Sequence, residues 1–221
     1  MSEEKLKRND FIKVEYTGKI KDGAVFDTNV KEEAEKLNPD AKVKPLIICL
    51  GQNMILPAID EFLIGKETGK KYKLELTADK AFGPRRRDLI KIMPLSVFRK
   101  QNVTPQAGMV FTFDNVMGKI SAVSGGRVIV DFNNPVAGKD VLYEINVKEK
   151  ITELDEKVKA LMQAFFKKEF KFEVKDKKLT IEAEANLKKF LEIFKPKFKE
   201  ILELDSEVKE TEKADTEKLS K

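Results

Sequence analysis

Ile12, Val14 and Tyr16 alternate with Lys13, Glu15 and Thr17, the two-residue period of a strand that buries one face. Gly18 and Asp22-Gly23 punctuate a turn, and Val25-Phe26-Asp27-Thr28 follows as a short extended piece. Residues 31–42 are charged and polar and carry Asn38-Pro39, which predicts a surface excursion with room for one helical turn. Leu46 to Leu50 is an unbroken apolar strand ending at Gly51. Pro57 suits the first turn of a helix and Gly65 its stop, with Ala58, Ile59, Phe62 and Leu63 on one buried face. Tyr72, Leu74 and Leu76 alternate as another strand, and Ala81-Phe82-Gly83-Pro84 is a loop.

Residues 86–132 read as a separate small β module. Met109, Phe111 and Phe113 alternate, Ser124-Gly125-Gly126 turns, and Val128, Val130 and Phe132 alternate again. After the loop Asn133-Asn134-Pro135, Val141, Tyr143, Ile145 and Val147 form a strand. From Ile151 the period changes: Leu154, Val158, Leu161, Met162 and Phe165 share one helical face. Phe170, Phe172 and Val174 are expected to pair with Leu179, Ile181 and Ala183 across a turn at Asp176-Lys177-Lys178. Leu187, Phe190, Leu191 and Phe194 make a second helix, broken or kinked at Pro196 before the pattern resumes at Phe198. Residues 205–221 are mostly charged, with few apolar positions, and predict a disordered tail.

Composition narrows the chemistry. Histidine is absent among the 221 residues, which removes Ser-His and Cys-His nucleophile pairs, His-ligated zinc and the usual general base near neutral pH. The single cysteine, Cys49, lies inside the apolar strand and reads as a buried structural thiol. No metal and no cofactor is therefore expected. The net charge of +5 arises from 43 basic and 38 acidic residues, a mixed surface rather than a basic one. Arg85-Arg86-Arg87 is the dense cluster; it is open to an acidic partner or ribosomal RNA, but a solvated hinge is the preferred reading. Charged residues total 37%, a usage common in thermophile proteins. With no apolar run of membrane-spanning length and a charged start, a cytoplasmic protein without membrane contact is expected.

Val14-Glu15-Tyr16-Thr17-Gly18 with Asp22-Gly23-Ala24-Val25-Phe26-Asp27 resembles the start of the FKBP-type peptidyl-prolyl isomerases. Leu50-Gly51, Ile55-Leu56-Pro57, Gly65 and Ala81-Phe82-Gly83 continue the likeness in order, across roughly 9–84 and 133–148. A β module between Gly83 and Asn133, with the return Asn133-Asn134-Pro135-Val136-Ala137-Gly138, resembles the SlyD-like branch, in which a domain is inserted at the flap. Residues 152–204 look like the extra C-terminal domain of long archaeal members. The resemblance implies an α+β fold. An FKBP-like antiparallel sheet would wrap on a short helix (1–85 and 133–150), with an inserted β domain (86–132), a C-terminal α+β domain (151–204) and the tail (205–221).

It also implies isomerisation of Xaa-Pro bonds in unfolded or partly folded polypeptides, which the insert would bind as a chaperone. Tyr16, Asp27 and Phe82 would act on the bound imide, with Asp27 orienting the Tyr16 hydroxyl or polarising the imide. Phe26, Leu46, Ile55, Leu56 and Tyr143 would bind the substrate, with Leu56 offering its N–H and Ile59 as the floor; macrolide inhibitors would enter the same pocket. Taken singly, the apolar members read as core and Asp27 as a turn-capping carboxylate. Two positions depart from the commonest family pattern: Ile59 is smaller than the usual Trp, and Phe82 lacks the hydroxyl of the usual Tyr. These departures keep alive a rival reading, a non-enzymatic holdase or assembly factor on an FKBP-like scaffold. The stripe Phe165, Phe166, Phe170 and Phe172 reads as core, and any excess left unburied favours a homodimer through the C-terminal domain.

Overall fold

The computed structural model describes residues 5–211. Twelve strands and six α-helices occur among them, in an α+β architecture with three sheets. The largest contains β1 (Phe11–Ile20), β2 (Val25–Thr28), β3 (Leu46–Cys49), β4 (Lys71–Leu76) and β9 (Val141–Lys150). Its hydrogen-bonded order is β2-β1-β9-β4, with β3 also paired to β1. No helix among the described residues is long and apolar enough to cross a membrane.

The described residues divide into two compact units. One comprises those up to Glu15, Asn29–Tyr72 and those from Ile145 onward. In it β3 runs antiparallel to the first half of β1, from Phe11 opposite Cys49 to Val14 opposite Leu46. The charged excursion forms α1 (Lys31–Leu37), longer than the single turn expected, with Ala34 buried. α2 (Pro57–Leu63) starts on Pro57 as predicted and buries Ile59 and Leu63, and Gly65 follows in the left-handed region at φ +81°. Cys49 is fully buried, and burial pushes its thiol up to about 12.

The segment from Ile151 onward shares one core with β1 and β3. Val158, Leu161 and Met162 of α4 (Leu154–Phe166) pack in the same cluster as Phe11 and Cys49, together with Phe198 and Ile201. β10 (Lys171–Lys175) and β11 (Lys178–Glu184) form the expected hairpin, with Phe172 opposite Ile181 and Val174 opposite Leu179. Its two-residue turn, Asp176-Lys177, has φ of +49° and +60°, matching the twist of the flanking strands. α5 (Ala185–Glu192) ends before Pro196, which sits in the first turn of α6 (Lys195–Leu202) and starts a new helix rather than kinking one.

The expected disordered tail from residue 205 needs correction. Asp205–Thr211 form β12, parallel to β11 with Ile181 opposite Val208. Its charges lie on an edge strand and are held by ion pairs such as Lys178–Glu207 and Lys188–Glu210, so a charged sequence is compatible with pairing. The rest of that expected tail, 212–221, lies outside the described residues.

The other unit comprises Tyr16–Thr28 and Lys73–Glu144. Within it, β5 (Ile90–Pro94), β6 (Val110–Phe113), β7 (Val116–Ser124) and β8 (Arg127–Asp131) make a sheet of order β5-β8-β7-β6. The alternating pattern foretold β6 and β8. β5, α3 (Leu95–Arg99) and β7 carry few periodic apolar residues and were not expected. β6 turns into β7 through Asp114-Asn115, both left-handed at φ +46° and +66°. Phe98, Ile120, Val128 and Val130 form the buried centre, edged by Met93, Phe111, Phe113 and Phe132. Met117 and Ile92 stay about two-thirds exposed, at 66% and 65%.

Candidate active site

Tyr16 and Gly18 project to one side of β1, and Asp27 of β2 stands opposite Gly18, so all three share a face. The Tyr16 hydroxyl donates to Asp27 Oδ2 at 3.1 Å. This register is pinned from behind: the buried hydroxyls of Thr17 and Thr28 share a hydrogen bond of 2.9 Å, and Thr28 Oγ1 donates to the Tyr16 carbonyl at 3.0 Å.

Phe26 gains its place from an irregularity. The register jumps from Gly18–Asp27 to Lys19–Val25, leaving Phe26 as the extra residue of a β-bulge, a device that re-aims a side chain. Its ring comes so close to Gly18 that a Cβ there would sit 2.8 Å from Phe26 and 2.9 Å from Tyr143. Phe26 meets Tyr143 edge-on at 5.9 Å and Phe82 edge-on at 5.5 Å, while Tyr16 lies 6.1 Å from Tyr143. Phe82 is presented by a tight loop in which Gly83 N donates to Ala78 O at 2.7 Å and Gly138 N to Gly83 O at 2.8 Å.

Burial, followed by the Asp27 charge and hydrogen bond, pushes the Tyr16 hydroxyl up to about 12. Burial, with Asp27 and Tyr16 adding, moves Tyr143 upward as well. Both phenols therefore remain neutral donors at ordinary pH. Asp27 itself is exposed, so it presents its carboxylate at the rim of the aromatic row.

The remaining anticipated residues lie in the other unit. Leu46 is half-buried on β3, Ile55 and Leu56 are half-buried ahead of α2, and Ile59 is buried within it. Among the described residues the Leu56 N–H meets no hydrogen-bond acceptor, while its carbonyl accepts from Ile59 N and Asp60 N. Asp60 was missed by sequence reasoning. It is 2% exposed, and its carboxylate accepts Gly51 N and Asn53 N, each at 2.9 Å. Gly51 and Asn53 are both left-handed, so Asp60 satisfies the N–H groups of a loop whose backbone has no regular partner. The signal available was a carboxylate flanked by Ile59 and Leu63 on a helix face, following a turn-rich Gly51-Gln52-Asn53.

A family profile described as FKBP-type peptidyl-prolyl cis-trans isomerase matches residues 2–112, half of the sequence. The chain belongs to the FKBP-type peptidyl-prolyl cis-trans isomerase family. A second profile, described as the IF domain of FKBP26, matches residues 91–136 of this isomerase, across the β5–β8 sheet. The chain is 29% identical over 147 residues to a short-type peptidyl-prolyl cis-trans isomerase of Methanocaldococcus jannaschii, covering 65% of this chain and 93% of the relative. It is 28% identical over 151 residues to an FKBP-type 16 kDa isomerase of Escherichia coli (66% and 94%). It is 26% identical over 147 residues to a SlyD isomerase of Vibrio cholerae (65% and 67%). The IF-domain match and the SlyD relative support the SlyD-like branch.

The Arg cluster of this isomerase is largely spoken for. Arg85 Nε and Nη2 donate to Asp131 Oδ2 at 3.0 and 2.5 Å, and Arg86 pairs with Asp88. Asp131 Oδ1 accepts Asn133 N at 2.9 Å and Asn133 Nδ2 at 2.7 Å. Asn133 then bridges to the segment leading into β5, accepting Arg86 N at 2.8 Å and donating to Arg86 O at 2.9 Å. The two chain segments entering and leaving the β5–β8 module are thus clamped together.

Proposed function

We propose that this isomerase acts on Xaa-Pro bonds of unfolded chains through Tyr16, Asp27 and Phe82, with the module of residues 86–132 capturing the chain. Uncatalysed prolyl isomerisation takes on the order of tens to hundreds of seconds, because twisting the imide sacrifices resonance against a barrier of about 18–20 kcal/mol. No proton or leaving group has to move. An apolar site lowers the barrier because the twisted imide is less polar than the planar one and loses less solvation there.

The observation that carries the reading is the Tyr16–Asp27 hydrogen bond at the rim of the row formed by Tyr143, Phe26 and Phe82. It supplies a wall for a prolyl ring and one anchored polar pair for the imide. Leu46, Ile55, Leu56 and Ile59 are proposed as binding residues, with the open Leu56 N–H as donor to a substrate carbonyl. Macrolide inhibitors are proposed to compete for the same residues. Exposed Ile92, Val110, Val116 and Met117 support chain binding by the module. Phe190 and Ile193, at 45% and 71% exposure on and just after α5, support a homodimer through this region.

A protease-free assay on an Xaa-Pro-Phe peptide, run beside refolding of a proline-limited protein, tests the reading. Turnover of both substrates is expected, and deletion of 87–132 preserves the first while slowing the second several-fold. Aggregation suppression without peptide turnover would favour the holdase reading instead.

A further inference from the structure

The loop Gly51–Leu56 is anchored by two separate sets of contacts. Gly51 and Asn53 give their N–H groups to Asp60. Gln52 and Met54 are held by other parts of the chain. Gln52 Nε2 donates to Asn9 Oδ1 at 2.9 Å, and its Oε1 lies 3.5 Å from Lys197 Nζ of α6. Met54 Sδ accepts the Cys49 N–H at 3.1 Å, and its side chain packs on the core that holds Val158, Leu161, Phe198 and Ile201. Most of that core comes from the segment after Ile151, which is itself tied to β1 by Ile151 N donating to Phe11 O at 2.8 Å.

Ile55 and Leu56 are the next two residues of the loop. With Gly51 and Asn53 in left-handed backbone, regular structure does not hold the loop, so its path depends on these side-chain anchors. Interiors are packed to near-crystalline density, so a side chain seated in a core transmits a displacement rather than absorbing it.

We propose that Met54 is a positioning residue through which the C-terminal α+β segment sets the placement of Ile55 and Leu56, and thereby the affinity for prolyl peptides. The proposal rests on the reading of Ile55 and Leu56 as binding residues. It gives the C-terminal segment a function in cis, as a buttress of the substrate loop. Met54 touches no substrate in this scheme; it acts through the backbone that joins it to Ile55 and Leu56.

The test is steady-state kinetics on an Xaa-Pro-Phe peptide together with amide hydrogen exchange in the full chain. Met54→Ala is expected to raise KM about five- to tenfold with kcat within twofold, and to speed exchange at Ile55 and Leu56. Met54→Leu, which refills the volume, is expected to return KM to within twofold of the parent. A folded Met54→Ala protein with unchanged KM and unchanged exchange at these two residues overturns the proposal, whatever its melting temperature. Should Met54→Ala not fold, Gln52→Ala with Lys197→Ala removes the contact at the surface. That pair is expected to raise KM about two- to threefold with faster exchange at Asn53–Leu56, and no change in either quantity overturns the proposal. If the parent chain turned over no peptide, the isomerase reading would fall, whereas faster exchange at Ile55 and Leu56 in Met54→Ala would still support the coupling.

Discussion

The Tyr16 hydroxyl donates to Asp27 Oδ2 across the β1–β2 pair, with Asp27 directly opposite Gly18. The bond joins a half-buried phenol to an exposed carboxylate, so each group orients the other while one edge of the pair stays open. Hydrogen bonds to charged groups are worth about 1.5–3 kcal/mol, and exposure of Asp27 places this one toward the lower value.

Removing either partner is therefore expected to cost about tenfold in kcat/KM for an Xaa-Pro peptide. Tyr16→Phe and Asp27→Asn should fall short of additivity when combined, because the second substitution finds the bond already gone. Full additivity would show that the two act separately.

The pH profile has a definite sign. The folded state holds the Tyr16 proton up to about 12, against 10.0 for the free side chain, and Tyr143 is shifted the same way. Above pH 10 the unfolded chain binds fewer protons than the folded one, so stability falls as pH rises from 10 through about 12; below 10 these groups contribute no slope. Denaturant titrations at pH 9 and pH 11 should show this loss, reduced in Tyr16→Phe. Peptide turnover should stay flat from neutral pH to 10, and a tyrosine titration near neutral pH in the activity profile would contradict it.

Gly18→Ala places a Cβ 2.8 Å from the Phe26 ring and 2.9 Å from Tyr143. Overpacking of this kind costs about 1–3 kcal/mol. Loss of stability, a changed near-ultraviolet circular dichroism signal from the displaced rings, and reduced peptide turnover are expected together. A stable variant with parental activity would mean that the aromatic row is not the substrate wall.

Asp131 holds Arg85 and Asn133 where the chain enters and leaves the β5–β8 module. Burial pushes its carboxyl up, but hydrogen bonds from the Asn133 side chain and backbone and from Arg85 outweigh that and leave it below the usual carboxylate range. Its contribution to stability is thus present above the ordinary carboxylate pKa and is lost as pH falls through the depressed value. Asp131→Ala is expected to leave peptide turnover unchanged, to slow catalysed refolding several-fold and to flatten the acid limb of the stability curve. Equal loss on both substrates would argue against a hinge role.

Local pattern made much of the chain legible. Alternation marked β1, β4, β6, β8 and β9, an unbroken apolar run marked β3, and Pro57 with Gly65 bracketed α2, because strands and short helices write their buried faces into side-chain order. The hairpin at Asp176-Lys177 was equally visible. β12 was not: a strand with Val208 as its main apolar residue looks like a solvated tail until β11 is there to pair with it. β7 was hidden for a related reason, since Val116 and Met117 point outward and only Gly118 and Ile120 are buried near its start.

The sequence by itself determined that catalysis must do without histidine and disulfides, and which residues form the ordered likeness to the isomerase family on which the proposed roles of Tyr16, Asp27 and Phe82 rest. Only the tertiary structure decided how some of them meet: the bulge that turns Phe26 onto Gly18, the buried Thr17–Thr28 pair behind Tyr16, and Asp60 and Met54 each anchoring the same loop. These depend on pairing register and on long-range burial, and neither leaves a periodic trace in a single chain. What distance in sequence separates, a shared sheet and a shared core bring within hydrogen-bond reach.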